Sequence, residues 1–301
     1  MRRRLFLLLH SVLCFSYSFA QEDFTWWNEL HGWDGVTPWN RYMTLSAKYF
    51  GPNALAVPEV RKGVPDSVGR IDVLAGGHFS RGDRTLDGDL SVTLPFCRGC
   101  VSLEASVVPV EYYSYDTLTR DLRSSRDKDG KGRAGGDFCF STLVRIVRDR
   151  EYLPDVALEM AFRAPSGTRL EAARFTNTPG YHFDLSFGKP LCNGRNCNIR
   201  AYGMLGYYSY QTFDVDHLQD GCFLYGAGTD VTVKSWLFTV QSAGYSGYLD
   251  NGDRPMVFRA ELRKTAEAMD ALVRVQIGMR DFEYRSVHVG VSWKPAKVSG
   301  R

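Results

Sequence analysis

The stretch that decides the fold is residues 181–213, which read YHFDLSFGKP, then LCNGRNCN, then IRAYGMLGYYSYQTF. In the first arm, aromatic and aliphatic side chains occupy every second position, and polar residues or glycine fill the positions between them. A period of two over this length is typical of a β-strand with one apolar and one polar face. The second arm is also rich in β-forming residues, and a short polar turn containing Cys192 and Cys197 separates the arms. The stretch is therefore predicted to form a β-hairpin.

The same alternation recurs in ten further segments along the chain. They lie near residues 71–79, 90–96, 101–107, 138–146, 156–163, 223–233, 236–241, 258–263, 273–280 and 287–293. Together with the two arms of the hairpin they give about twelve strands. Tight connections alternate with longer ones, the two longest being residues 114–136 and 164–180. Short periplasmic turns, longer outer loops and an even strand number are typical of bacterial outer-membrane barrels.

Two all-β folds compete for this pattern. In a soluble sandwich or lipocalin-like barrel the apolar faces would be buried, whereas in a membrane barrel they would face lipid. The charged residues on the opposite faces of so many strands favour the second fold. We therefore predict a closed antiparallel transmembrane β-barrel over residues 70–294, with both chain termini in the periplasm and a periplasmic tail at 295–301.

The N-terminus has the pattern of an export signal. Three arginines precede an apolar run that is too short to span a bilayer, and small residues at Ser18 and Ala20 suit a cleavage site. Residues 1–20 are predicted to be a signal peptide. This leader carries three of the 37 basic residues and no acid, so the mature chain has equal numbers of basic and acidic side chains. That balance gives no indication of nucleic-acid binding.

Residues 21–69 differ from the strand series. They contain four tryptophans within fourteen residues, followed by scattered prolines. We predict a short helix or turn-rich periplasmic or plug-like segment, tucked into the barrel or lying across its mouth, with residues 42–50 as a candidate strand. Exposed tryptophans could stack on sugars or on a partner protein, but they are also common at membrane interfaces and in packed barrel mouths.

The polar faces of the strands place many charges in the predicted lumen. The expected lumen-lining residues are Asp72, Glu104, Arg145, Glu159, Arg163, Asp184, Arg200, Asp230, Arg259, Glu261, Arg263, Arg274 and Arg280. They could line a selective channel. Alternatively, they could form an ion-pair network that fills and stiffens the interior, because charges away from water require partners.

Four cysteines fall as close pairs in two turns, Cys97 with Cys100 and Cys192 with Cys197. In an oxidising compartment they could form turn disulfides, or they could stay as free thiols. A zinc site is less well supported, because Cys97 and Cys100 lack a matching second pair at a suitable distance. We predict no metal site, no cofactor and no catalytic constellation.

The tryptophan-rich opening, the segment RAPSGTRLEAARFTNTPGYHFDLSFGK at 163–189 and the hairpin series resemble uncharacterised outer-membrane barrel proteins of Bacteroidota-type bacteria. The resemblance covers most of the mature chain and implies the barrel architecture without an activity. One departure is that Trp293 is followed by eight residues, whereas many outer-membrane proteins end on an aromatic residue.

The leading functional hypothesis is an outer-membrane channel or transporter for small polar solutes. The alternative is a non-transporting barrel with a structural or surface-interaction role in an envelope complex, and a lipid-modifying barrel enzyme ranks third. The expected partners are outer-membrane lipid and the barrel insertion machinery. The sequence indicates no other protein partner.

Overall fold

A computed structural model describes residues 23–97, 99–195 and 197–295. The predicted signal peptide, and the tail beyond Pro295, lie outside the described residues. The chain divides into two compact units, residues 1–37 and 38–301. In the first unit, helix α1 spans Thr25–His31 and ends at Gly32, which adopts the left-handed conformation that glycine favours. No helix of the described residues is long and apolar enough to cross a membrane.

The second unit is a closed antiparallel barrel. Its strands are β1 (Arg70–Ser80), β2 (Asp83–Phe96), β3 (Val101–Tyr115), β4 (Lys131–Ala134), β5 (Cys139–Val147), β6 (Asp155–Arg163), β7 (Gly180–Asn193), β8 (Cys197–Gln211), β9 (Gln219–Val233), β10 (Trp236–Ser246), β11 (Met256–Lys264), β12 (Met269–Arg280) and β13 (Arg285–Trp293). Consecutive barrel strands pair in sequence order, and β1 closes the ring by pairing with β13 as well as β2. Twelve strands form the barrel, and β4 is an extra strand paired with β3.

The barrel is inside-out relative to a soluble protein. Large apolar side chains are exposed on every second position, as in β13, where Val287, Val289 and Val291 alternate with the buried Ser286, His288 and Ser292 or with glycine. An apolar outer band around a polar interior is the arrangement that lipid requires. The predicted membrane barrel is therefore confirmed, and the soluble sandwich is wrong.

The hairpin formed by β7 and β8 shows how one strand meets both environments. The sequence left open which of the adjacent Tyr207 and Tyr208 faces inward. Tyr208 is buried in the interior, whereas Tyr207 packs on the outward Phe183 with ring centroids 5.6 Å apart. The register is unbroken at this point, and the irregularity of this pair lies instead between Pro190 and Cys192.

The region 114–136, expected to be a long polar loop, has more structure than its composition indicates. Strand β3 continues to Tyr115, helix α2 follows at Thr117–Leu122, and β4 returns alongside β3. Asp116 is the N-cap of α2, and its carboxylate accepts a hydrogen bond from the Thr119 amide at 2.8 Å. The sequence missed the extension of β3 because its pairing with β2 shifts between Gly88 and Leu90, which changes the residues that face inward.

The outward face yields a first prediction. Val289 lies at the middle of β13 and is 51% exposed, so Val289→Arg would place a charge where lipid is expected. We expect a loss of about 2–4 kcal/mol in the free energy of unfolding, measured by denaturant titration of tryptophan fluorescence in lipid vesicles. Val289→Leu is the matched control and should leave stability nearly unchanged; equal stability of the Arg variant would contradict a lipid-facing position.

Candidate functional site: the occupied lumen

Residues 38–69, here called the luminal segment, occupy the interior of the barrel. The segment contains a 3-10 turn at Trp39–Tyr42 and turns beyond it, and the candidate strand at 42–50 is not formed. It forms no strand of the sheet. Side chains therefore hold it in place, and its backbone polar groups need partners from the barrel wall.

The first half of the luminal segment packs on inward aromatic residues. Phe50 and Leu55 are 0% and 1% exposed. They belong to one apolar cluster with residues of β8, β9 and β10, including Tyr202, Met204, Tyr208, Tyr210, Leu224 and Tyr245. Tyr208 and Tyr245 stack edge to face with centroids 4.9 Å apart. This interior apolar core is unexpected for a water-filled pore and depends on the segment to cover it.

The second half carries charged side chains, and each has a partner on the barrel wall. Arg61 forms two hydrogen bonds to the Glu159 carboxylate, at 2.6 and 2.8 Å. The Nη1 atom of Arg61 lies 3.3 Å from a carboxylate oxygen of Glu104. Lys62 contacts Asp230 at 2.5 Å, and Glu59 contacts Arg274 at 2.5 Å. The segment thus supplies both signs of charge to a wall of both signs.

Barrel side chains also satisfy the backbone of the segment. Arg259 donates to the carbonyl of Val57 at 2.5 Å and to that of Pro58 at 3.2 Å. Arg163 donates to the Ala54 carbonyl. Arg200 donates to the Lys62 carbonyl at 2.9 Å, Tyr245 to that of Leu55 at 3.0 Å, and the Gln241 side chain accepts from the Val60 amide at 3.0 Å. Such partners replace the hydrogen bonds of a strand or helix.

The segment runs from one end of the barrel to the other. Near its start, Ser46 donates to the carbonyl of Asn251 in the β10–β11 loop, and the Gly51 amide donates to Ala173 in the β6–β7 loop. Both loops lie at the end of the barrel that carries the long connections. At the other end, Gly63 approaches the backbone of β6 and β7 so closely that a Cβ there would lie 2.6 Å from the Gly188 nitrogen. Arg70 then begins β1 at the short-turn end.

A second charged network closes the long-loop end. Arg174 is fully buried and donates to Glu111, Asp83 and Thr85 at 2.7, 2.8 and 2.7 Å. Arg123 also donates to Asp83, at 2.7 Å. Burial opposes the charge on Arg174, but the two carboxylates outweigh it and raise its pKa above the ordinary value. The sequence did not indicate this network, because its arginines lie in loops and Glu111 follows the shift in β3.

The predicted lumen residues fall into three groups. The luminal segment directly contacts Glu104, Glu159, Arg163, Arg200, Asp230, Arg259 and Arg274. Wall partners hold three of the others: Glu261 bridges Arg263 and Arg274, and Asp72 contacts Arg70 at 2.9 Å. Asp184 is 1% exposed beside Glu159, and Arg145 is half-buried. Arg280 is instead exposed at a strand end, 4.0 Å from Asp281.

Sequence reasoning also missed the luminal side chains of the segment itself. Asn53 donates to Asp87 at 2.6 Å and to Glu111 at 2.8 Å, and Glu59, Arg61 and Lys62 make the ion pairs described above. A run of charges at 59, 61 and 62 was the available signal, but nothing in the sequence connected it to partners about 40 to 215 positions away.

A cavity of about 510 Å³ remains beside the segment. Its walls include charged residues from the segment and from β1, β2, β6, β11 and β12. The volume is that of a small-molecule pocket, so the lumen is partly filled rather than solid.

The described cysteines are free thiols. Cys97, Cys100 and Cys192 are exposed, and the Cys192 sulfur lies 3.9 Å from the Cys197 carbonyl oxygen across the turn. The turn disulfides stay a prediction.

No protein-family model matches the chain, and no curated protein matches its sequence. In structure the chain is similar to an outer-membrane channel of Pseudomonas putida F1, with a TM-score of 0.55 and 12% identity over 79% of this chain and 99% of that one. It also aligns with the NanC porin (TM-score 0.47, 14% identity, 74% and 99% covered) and the KdgM porin (0.43, 12%, 75% and 99%). At 12% identity, the similarity to the Pseudomonas channel concerns the fold, which is that of outer-membrane barrels.

The Arg61–Glu159 pair predicts a large stability effect. Arg61→Met would leave the Glu159 carboxylate, 1% exposed, without its cation. Breaking a buried pair on one side costs about 3–5 kcal/mol, to be measured by denaturant titration in detergent micelles. The exposed Arg133 offers a control, since Arg133→Met should change the free energy of unfolding by less than about 0.5 kcal/mol; similar effects of the two substitutions would contradict the account.

Glu59 gives a pH prediction. The adjacent Arg274 guanidinium, 2.5 Å away, holds the pKa of this carboxyl, whose side chain is 44% exposed, well below its usual range. A depressed folded-state pKa contributes stability that is fully present above the unfolded-state pKa, and that contribution is lost progressively as pH falls from the unfolded-state pKa to the folded-state pKa. The stability difference between the wild type and Glu59→Gln should therefore be the same at pH 7 and pH 5 and shrink in stronger acid. A difference that already disappears at pH 5 would show that the pair is not formed.

Proposed function

We propose that the protein is an outer-membrane channel for small polar solutes, closed at rest by its own luminal segment. The observation that carries the proposal is the way the segment is held. It fills a charged lumen beside a cavity of about 510 Å³ without joining the sheet, so it can shift while every strand pairing of the barrel stays intact. We also place the chain, by resemblance, with barrel proteins of the Bacteroidota type.

The ion pairs of the segment support a movable closure. If Lys62 moves away, Asp230 keeps hydrogen bonds from Tyr202 at 3.1 Å and from Thr239 at 2.8 Å. If Glu59 moves away, Arg274 keeps Glu261 at 2.8 Å. At these two positions, displacing Lys62 and Glu59 therefore leaves no unpaired group on the wall, which lowers the free-energy cost of moving this part of the segment.

A second candidate, a non-transporting structural or surface-interaction barrel, also has a specific observation in its favour. The burial of Phe50 and Leu55 in the apolar cluster is as complete as in a protein core. A segment held in this way could be a permanent filling. The third hypothesis, a lipid-modifying enzyme, gains no support, because His78, His182 and His288 lie on the inward positions of their strands.

The orientation follows the loop lengths. We propose that the long-loop end faces outward and the short-turn end, where β13 ends, faces the periplasm. Outer-membrane lipid and the insertion machinery are the proposed partners. Only the C-terminal end of the barrel is proposed to lie in the periplasm. Trp39, near the start of the luminal segment, lies instead at the long-loop end, where its ring is 5.4 Å from the Arg126 guanidinium.

Labelling on intact cells tests the orientation. In a background with serine in place of the native cysteines, Lys131→Cys on the long-loop end should react with a membrane-impermeant maleimide. Glu151→Cys, which is also exposed and lies at the short-turn end, should react only after the membrane is permeabilised. The reverse pattern would overturn the proposed orientation.

Single-channel recording in planar bilayers tests the function. We expect the wild type to be mostly closed with brief openings, and Glu59→Gln with Lys62→Gln to raise the open fraction several-fold, because two contacts of the segment are lost. The matched control is Asp214→Asn with His217→Gln, which removes an exposed side-chain contact in the β8–β9 loop and should leave the record unchanged. If neither the wild type nor the double variant conducts, the channel proposal fails and the non-transporting barrel is favoured.

A further inference from the structure

We propose that the lumen wall contains a binding site for a divalent transition-metal ion such as Zn²⁺, formed by His78, Asp87 and His288. These residues lie on three adjacent strands, β1, β2 and β13. One potential ligand atom from each lies within 4.8 Å of the others, and all three side chains are buried. Two imidazoles and a carboxylate are a common ligand set for zinc, with a fourth position left for water or substrate.

The space between the ligands is present because residue 76 is glycine. Gly76 is the register partner of both Asp87 on β2 and His288 on β13, so it lies in the middle of the row. A Cβ on Gly76 would lie 2.1 Å from Asp87 Oδ1 and 2.8 Å from His288 Cδ2. Any other residue would fill the space that an ion needs.

Two of the polar atoms in this cluster are buried and have no hydrogen-bond partner. They are Asp87 Oδ1 and His288 Nδ1. Buried polar atoms without partners are uncommon and costly. The other Asp87 oxygen accepts from Asn53 of the luminal segment at 2.6 Å, so Oδ1 can bind an ion without breaking that contact.

His78 already has the support that a metal-ligating histidine requires. Its Nδ1 lies 2.8 Å from Ser286 Oγ, and its Nε2 lies 2.7 Å from Asp87 Oδ2. With Nδ1–H donating to Ser286, Nε2 is directed at the carboxylate side of the cluster, in the manner of a ligand oriented by an outer hydrogen bond. An ion bound at Nε2 would take the place of a proton, which passes to water, so binding should weaken in acid.

An ion can reach the site from the cavity in the lumen. His78, His288 and Asp89 all line that cavity. The Asp89 carboxylate lies 3.9 Å from His288 Nε2 and adds a second negative charge near the ion. Two carboxylates with two neutral imidazoles balance a divalent cation.

Zinc binding to the full mature protein tests the site. With the cysteines alkylated, titration calorimetry with Zn²⁺ alone should show that His288→Gln has lost one equivalent relative to the wild type. Gly76→Ala should lose the same equivalent although it keeps all three ligands, and Ser286→Ala should weaken binding about 10- to 100-fold. The control is His182→Ala, in a second luminal cluster with Glu159 and Asp184. This variant should still bind the equivalent of Zn²⁺ that His288→Gln loses.

Folding of each variant is checked by heat-modifiable gel mobility, which separates loss of the site from loss of the barrel. Co²⁺ absorption gives an independent measurement, since tetrahedral nitrogen and oxygen ligands give visible bands that should be absent in folded His288→Gln. The proposal is overturned if folded His288→Gln and Gly76→Ala bind as much Zn²⁺ as the wild type. A wild type that binds no Zn²⁺ overturns it equally.

Discussion

Buried carboxylates in the barrel wall are the constraint on which the interior depends. Glu159 and Asp184 are register partners on β6 and β7, both 1% exposed, so two acidic groups lie side by side away from water. The wall offers them few cations; the bidentate partner of Glu159 is Arg61 of the luminal segment. Because an unpaired buried charge costs several kcal/mol, the segment is part of the folded barrel rather than an attachment to it. The occupied lumen follows from this dependence.

The barrel itself could be predicted from the sequence because lipid and lumen impose opposite demands on alternate residues. In β13, and in β7 over residues 180–188, the period of two is unbroken, and the predicted alternation of faces is confirmed there. Tyr113 and Tyr115 are buried near the end of β3, but alternation did not predict their inward orientation. A local register shift changes which residues face inward, and periodicity does not reveal where such a shift occurs. The polar composition of 114–136 likewise hid helix α2 and strand β4, which are stabilised by contacts with neighbouring elements.

The interior was less predictable, for a different physical reason. An irregular segment has no period, so the sequence does not show which wall residue each of its side chains will meet. The charges of Glu159, Asp230 and Arg274 could be assigned to the lumen, but their partners at 59, 61 and 62 could not. The cluster around Gly76 was missed because alternation does not show which inward side chains of neighbouring strands meet. His78 and Asp87 are only 9 positions apart, but they converge with His288 only when β1 pairs with both β2 and β13.

The most direct test of the occupied lumen is a disulfide between the segment and the wall, formed in native membranes. A Cβ on Gly226 would lie 2.6 Å from Val60 Cγ2, so Val60→Cys with Gly226→Cys should form a cross-link under mild oxidation, detectable by mass spectrometry. The pair Val60→Cys with Val289→Cys, which places the second thiol on the lipid face, should not. Cross-linking of the first pair alone is the result that the account predicts. A folded barrel in which neither pair reacts would show that residues 38–69 do not lie in the lumen.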